Sequence, residues 1–159
     1  MELSTKNEVI PVQPAELVDQ TNRFLNLLEA GDRVGVADML DDGIVWSARM
    51  SAGPADDGEP ARGLEEFGSR LGAIGRLMKS ARFIDRRITA SADEPTTFVQ
   101  TNGEFITADG RPYRNVYVFR FDWRDGKIAS WEEYANPITI IRTFPDVYGH
   151  QLDGILGQK

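Results

Sequence analysis

PYRNVYVFRFDWRDGKIASWEEYANP, residues 112–137, sets two alternating runs either side of a single Asp125-Gly126 pair. In the first run Tyr113, Asn115, Tyr117, Phe119, Phe121 and Trp123 fall on one face, and Arg114, Val116, Val118, Arg120 and Asp122 on the other. Asp-Gly suits a two-residue hairpin turn, whose central positions both need positive φ. The second run offers Ala129, Trp131, Glu133 and Ala135 on one face, against Ile128, Ser130, Glu132, Tyr134 and Asn136. The spacing predicts a β-hairpin whose apolar face carries one acid, Glu133. An acid among aromatics either reaches water at a sheet end or sits in a pocket, and that alternative is the functional question.

Upstream of the hairpin, Arg82–Ala92 and Thr96–Thr107 read as two more strands joined at Asp93-Glu94-Pro95, with a turn at Ala108-Asp109-Gly110-Arg111. Before them, Leu64, Phe67, Leu71, Ile74 and Met78 mark the stripe of a helix. Gly68, Gly72 and Gly75 interrupt it, which suggests close approach to a sheet or ligand; the spacing is not that of a phosphate loop. An earlier helix starts at Pro14, buries Leu17, Thr21, Phe24, Leu25 and Leu28, and stops at Gly31. Asp32 then caps a short second helix running through Leu40. Gly43 opens the strand IVWSARM, and residues 51–62, rich in Gly, Pro and Asp, form a long loop that is either a surface excursion or a lid.

This order of elements predicts an α+β domain over residues 14–144. A curved antiparallel sheet carries three helices of the N-terminal half on its concave face. Residues 1–13 read as an arm and 145–159 as a tail, with Ile138, Ile140, Ile141 and Phe144 available to cover an edge or a cavity mouth.

Composition narrows the function classes. The 159 residues suffice for one domain, and the absence of cysteine excludes disulfides, thiolate catalysis and cysteine-held metals. Eighteen basic against 25 acidic residues give a net charge of −7, which disfavours nucleic acid and anionic membrane as partners. No basic region followed by an apolar run opens the chain, so the expectation is a cytoplasmic protein.

Three segments carry a family resemblance: LLEAGDRVGVADMLDDGIVW (27–46), PARGLEEF (60–67) and YRNVYVFRFDWRDGKIASWEEYANP (113–137). Together they resemble the nuclear-transport-factor-2-like superfamily, especially its SnoaL-like polyketide-cyclase and ketosteroid-isomerase-like branches. The resemblance implies a cone in which the sheet wraps a blind pocket roofed by the first and third helices, and an outer sheet face that often dimerises. Against the ketosteroid isomerase pattern the chain has Phe24 at the oxyanion tyrosine, Ser47 at the catalytic aspartate and Phe119 near the oxyanion acid. Scytalone-dehydratase-like catalysis leans on histidines, and the single histidine here is His150. The end of the last strand, Trp131-Glu132-Glu133-Tyr134-Ala135-Asn136, is similar to the limonene-epoxide-hydrolase-like and phenazine-biosynthesis-like patterns, which places Glu133 at their acid position. The hydrolase's Arg-x-Asp falls on Gln100-Thr101-Asn102, where amides replace both charges.

Period-2 reading and the resemblance together put Gln100, Asn102, Asn115 and Tyr117 beside Glu133. Apolar walls are expected from Phe24, Trp46, Phe67, Leu71, Phe98, Phe119 and Trp131. One carboxylate among neutral hydrogen-bonding groups suits a single acid/base moving a proton beside a carbonyl. Metal ions are not expected, since only Glu104 could supplement Glu133, and no cofactor fingerprint is present. With no arginine or lysine placed on the concave face, burial should raise the Glu133 pKa above roughly 4.3.

The leading expectation is thus a cofactor-independent isomerase, cyclase or dehydratase acting on an apolar oxygenated metabolite. A noncatalytic ligand-binding or assembly module is the alternative, and epoxide hydrolysis a weaker one. Val116, Val118 and Ile128 among charges on the outer face predict a homodimer.

Overall fold

The computed structural model describes residues 13–49 and 59–148. Three helices, α1 (Pro14–Ala30), α2 (Arg33–Asp38) and α3 (Gly63–Leu77), lie in the N-terminal half. Seven strands follow the order β1 (Leu40–Arg49), β2 (Ala61–Arg62), β3 (Met78–Ser80), β4 (Phe83–Ala90), β5 (Thr96–Thr107), β6 (Pro112–Arg124) and β7 (Lys127–Ala135), and α4 (Pro137–Thr143) comes last. His150, the N-terminal arm and most of the 51–62 loop fall outside the described residues.

The strands form one sheet ordered β2-β1-β7-β6-β5-β3, with β4 also on β5, curled into the half-barrel of a cone. It is mixed rather than wholly antiparallel as expected, because β1 pairs with β7 in parallel. That pairing sets Trp46 beside Trp131, and their rings stack at 4.6 Å and 10°.

The hairpin forms as its alternation requires. Asp125 and Gly126 have φ of 51° and 76°, which closes a two-residue turn between the paired Arg124 and Lys127. One bulge changes the faces of β7. Trp123 pairs with Ile128 whereas Asp122 pairs with Ser130, so Ile128 turns inward and is fully buried instead of standing on the outer face.

α1 buries Leu17, Thr21, Phe24 and Leu25 against the sheet, and the Asp32 side chain caps α2 by accepting from the Gly35 N–H at 2.9 Å. A buried chain of hydroxyls secures α1: Trp123 Nε1 donates to Thr97 Oγ1 at 3.0 Å, which lies 2.9 Å from Thr21 Oγ1. Along α3 the expected close approach of the sheet is absent at the glycines, and the nearest atoms to a Cβ at Gly72 would be Arg76 and Arg33 side-chain atoms, at 3.8–3.9 Å. A Cβ at Gly68 or Gly75 would meet nothing within 4 Å.

Candidate active site

The curl of the sheet leaves a cavity of about 200 Å³ between its concave face, α3 and α4. From β6 come Tyr113, Tyr117 and Phe119; from β1 and β7 come Trp46, Trp131 and Glu133; from α3 come Leu71, Ile74 and Gly75. Ile140, Phe144 and Tyr148 close it from the C-terminal side, so the apolar tail segment covers a cavity mouth. The strand register brings the acid here. Glu133 pairs with Phe119 on β6 and Ala48 on β1, which seats it in the middle of the sheet with its side chain on the concave face.

Glu133 is only partly buried as a residue, but its carboxyl is sunk in this apolar lining. Burial pushes its pKa from 4.5 up to about 7, because the charged form loses its water. Two groups act the other way: the Trp46 indole N–H, which does not reach a hydrogen bond of normal geometry, and the charge of Arg70. Arg70 is the cation that sequence reasoning missed. It stands three residues after Phe67 on α3, beside the inward stripe, and donates to the backbone oxygens of Trp46 at 3.1 Å and Glu59 at 2.6 Å. The arginines that could have drawn Glu133 outward are engaged elsewhere: Arg114 with Glu104, Arg120 with Asp122, and Arg124 with Asp41.

A second polar group lines the same cavity. The Tyr113 and Tyr117 hydroxyls lie 3.1 Å apart, and Asn115 Nδ2 donates to Tyr113 Oη at 2.9 Å. Burial raises the pKa of both phenols, so they remain protonated. Gly103 on β5 makes room for them, since a Cβ there would come within 2.6 Å of the Tyr117 ring. Tyr148, near enough to feel the charge of Glu133, is also held protonated by burial.

Of the residues expected at the site, Trp46, Leu71, Tyr117, Phe119, Trp131 and Glu133 line the cavity. Phe24 and Phe67 do not; they pack behind it against Trp131, at ring distances of 5.8 and 6.0 Å. Phe98, Gln100 and Asn102 project from the opposite face into solvent. Their strand is offset by one residue from a four-residue turn, and Thr101 rather than Gln100 or Asn102 pairs with the inward Tyr117. Asn115 is inward but fully engaged: it donates also to Asn136 O and accepts from the Val116 and Asn136 N–H groups. It therefore positions Tyr113 and the start of α4 rather than meeting a ligand. Glu104 faces out, paired with Arg82 and Arg114. Among the described residues no three His, Asp or Glu side chains converge as a metal site, and no helix is long and apolar enough to cross a membrane.

The sequence profile of the SnoaL-like domain matches residues 21–131, more than half of the chain and most of the cone. The chain belongs to the SnoaL-like family. This SnoaL-like domain superposes on a Bacillus subtilis protein provisionally named an isomerase (TM-score 0.72, 18% identity, 84% of this chain and 96% of the other). It is similar also to a Pseudomonas putida protein provisionally named a polyketide cyclase (0.66, 19%, 80% and 96%). A third similar structure is an epoxide hydrolase of limonene-epoxide-hydrolase-like type from M. tuberculosis (0.64, 16%, 91% and 98%). At these identities the likeness is one of fold. No curated protein sequence matches the SnoaL-like chain.

Proposed function

We propose that the cavity is the active site of a cofactor-independent isomerase, cyclase or dehydratase, with Glu133 as the proton-transfer group and an apolar oxygenated metabolite as substrate. The observation that carries this reading is a lone carboxyl inside an aromatic cavity with its pKa raised to about 7, where it can both accept and return a proton near neutral pH. In the step envisaged, the Glu133 carboxylate removes a proton from the carbon next to a carbonyl. The C–H electron pair moves toward the carbonyl oxygen, giving an enolate that accepts a hydrogen bond from the Tyr113–Tyr117 pair. Protonated Glu133 then returns the proton at another carbon, or donates it to a departing hydroxyl in an elimination. Epoxide hydrolysis has less support, because among the described residues the cavity lining contains no second carboxylate to act against the first.

Deuterium exchange tests it. Small ketones incubated with the protein in D2O should exchange the hydrogens beside their carbonyl, followed by NMR, and Glu133→Gln should lose that catalysis by roughly 100-fold or more. Equal exchange by both proteins would leave a ligand-binding module as the better account.

The outer sheet face supports a homodimer in the same reading. Phe98, Val116, Val118 and Tyr134 are exposed there among Arg114, Arg120, Glu104 and Glu132, a self-complementary mixture of apolar and charged side chains.

A further inference from the structure

The chemistry of the lining restricts what the cavity can hold. Among the described residues its lining includes one acid and no Lys, Arg or His, so a carboxylate or phosphate would be buried unpaired next to Glu133. Size restricts it further. A cavity of about 200 Å³ is modestly larger than the roughly 150 Å³ apolar cavity that takes a benzene ring. It is smaller than the roughly 300–1,000 Å³ of sites that enclose drug-sized molecules. One ring with short substituents, on the order of ten heavy atoms, fits that space. A fused tetracycle does not.

Counting protons says what the ligand presents. The Asn115 Oδ1 accepts from two backbone N–H groups, which fixes the orientation of the amide and makes its Nδ2 the donor to Tyr113 Oη. Tyr113 and Tyr117, only 3% and 7% exposed, have two hydroxyl protons and one hydrogen bond between them. Asn115 cannot accept the other proton, and no further acceptor for either hydroxyl is found among the described residues. The pair therefore offers the cavity a donor and needs an acceptor.

We infer that the natural ligand is a neutral, single-ring ketone or enone whose carbonyl oxygen accepts the spare phenolic proton of Tyr113 and Tyr117. This rests on the reading of the cavity as a proton-transfer site and narrows its substrate to a chemical class.

Binding can be read without turnover from the indole N–H signals of Trp46 and Trp131, which lie in the cavity wall, by NMR titration at pH 8. Three probes separate the claims: isophorone (a neutral cyclic enone), cyclohexanecarboxylate (an anion of similar size) and progesterone (a tetracyclic enone). Isophorone should bind at least tenfold more tightly than either of the others. Replacing both phenols, Tyr113→Phe with Tyr117→Phe, should weaken isophorone at least fivefold while leaving toluene, which has no oxygen, unchanged. Should the double variant lose toluene binding, the single Tyr117→Phe and Tyr113→Phe variants are read by the same ratio. The proposal is overturned if isophorone fails to bind, if either competitor binds as tightly, or if ketone affinity survives loss of the phenols. Such a failure would leave the role of Glu133 standing, since that role is read from exchange. Loss of exchange alone would likewise leave the binding pattern standing.

Discussion

The concave and convex faces of the β5–β6–β7 region are made from alternate residues of the same three strands, yet they treat polar groups in opposite ways. On the convex face Arg114 meets Glu104 and Arg120 meets Asp122, and all four side chains are at least a third exposed. Such pairs contribute little to stability, because water competes for each charge. Across the pleat, Asn115 has every hydrogen-bonding valence filled by protein, whereas Glu133 has no partner of normal geometry among the described residues and a raised pKa. The cost of leaving water is thus met by saturation at one inward position and by neutralisation at the other. The second arrangement leaves a carboxyl that can exchange its proton near neutral pH.

Removing side-chain volume should separate the two faces most. Phe119 is 1% exposed and touches Phe83, Tyr117, Phe121 and Trp131 at ring distances of 5.4–5.9 Å. Phe119→Ala should cost about 3–5 kcal/mol in urea denaturation. Val118→Ala, one residue away on the other face, should fall within about 0.5 kcal/mol in the monomer. Similar losses at the two positions would mean that the convex face is as tightly packed as the cavity wall.

Glu133→Gln comes next, and its sign depends on pH. The folded pKa of about 7 lies above the unfolded value of 4.5, so the native state holds the proton more tightly and stability falls as pH rises between those values. Below the window both states are protonated and the substitution should be nearly silent. Above it the wild type carries a buried charge, and the variant should be more stable by on the order of 2–3 kcal/mol. Activity should move oppositely in the wild type, with kcat/KM rising through about pH 7 as the base ionises. Thermal melts of both proteins at pH 4 and pH 8 check this. A variant no more stable at pH 8 than at pH 4, relative to wild type, would mean a carboxyl that titrates normally.

Why β5 misled the sequence reading while the hairpin did not lies in the residues themselves. In the hairpin aromatic residues recur at every second position from Tyr117 to Trp123, with Tyr113 in phase, and its turn admits few registers. In TTFVQTNGEF the neighbours Phe98 and Val99 are both apolar, and Gln100, Thr101 and Asn102 are all polar, so alternation cannot assign a face. The turn then decides, and a four-residue turn at 108–111 gives the opposite parity. Ile106 pairs with Pro112, so Thr107 belongs to the loop closure and accepts the Arg111 N–H through its hydroxyl at 2.9 Å. One residue of offset moved Phe98, Gln100 and Asn102 to the outside. The aromatic partners of Glu133 were legible from the period, whereas the place of Tyr148 in the lining and the closeness of the Arg70 charge to Glu133 are set by tertiary packing.

Asn115 and Asn102 sharpen the contrast with one residue type. Asn115→Ala would strand two backbone N–H groups and the Asn136 carbonyl, and should cost about 1–3 kcal/mol while loosening α4. Asn102 makes one exposed hydrogen bond, to Asp85 at 3.0 Å, and Asn102→Ala should change stability by less than about 0.5 kcal/mol. Hydrogen exchange of the α4 amides distinguishes them: only the Asn115 variant should speed it.

The smallest expected effect on the monomer is the most informative about the outer face. Val116 and Val118 are 60% and 42% exposed, with Phe98 and Tyr134 beside them, and Arg120 lies 5.9 Å from the Phe98 ring centre. An apolar strip rimmed by paired charges gains from burial against its own copy, because each arginine can find a carboxylate across a two-fold axis. Val118→Asp puts a charge at the centre of that strip, where pairing would bury it. In a monomer the same change meets only water and should be nearly neutral. The prediction is therefore a wild type of twice the chain mass by light scattering at micromolar concentration, with a melting temperature that rises with concentration. The variant should have the mass of one chain, no concentration dependence and an intact cavity. A wild type already of single-chain mass would leave the strip as ordinary surface, and the distinction between the faces would then rest on the cavity alone.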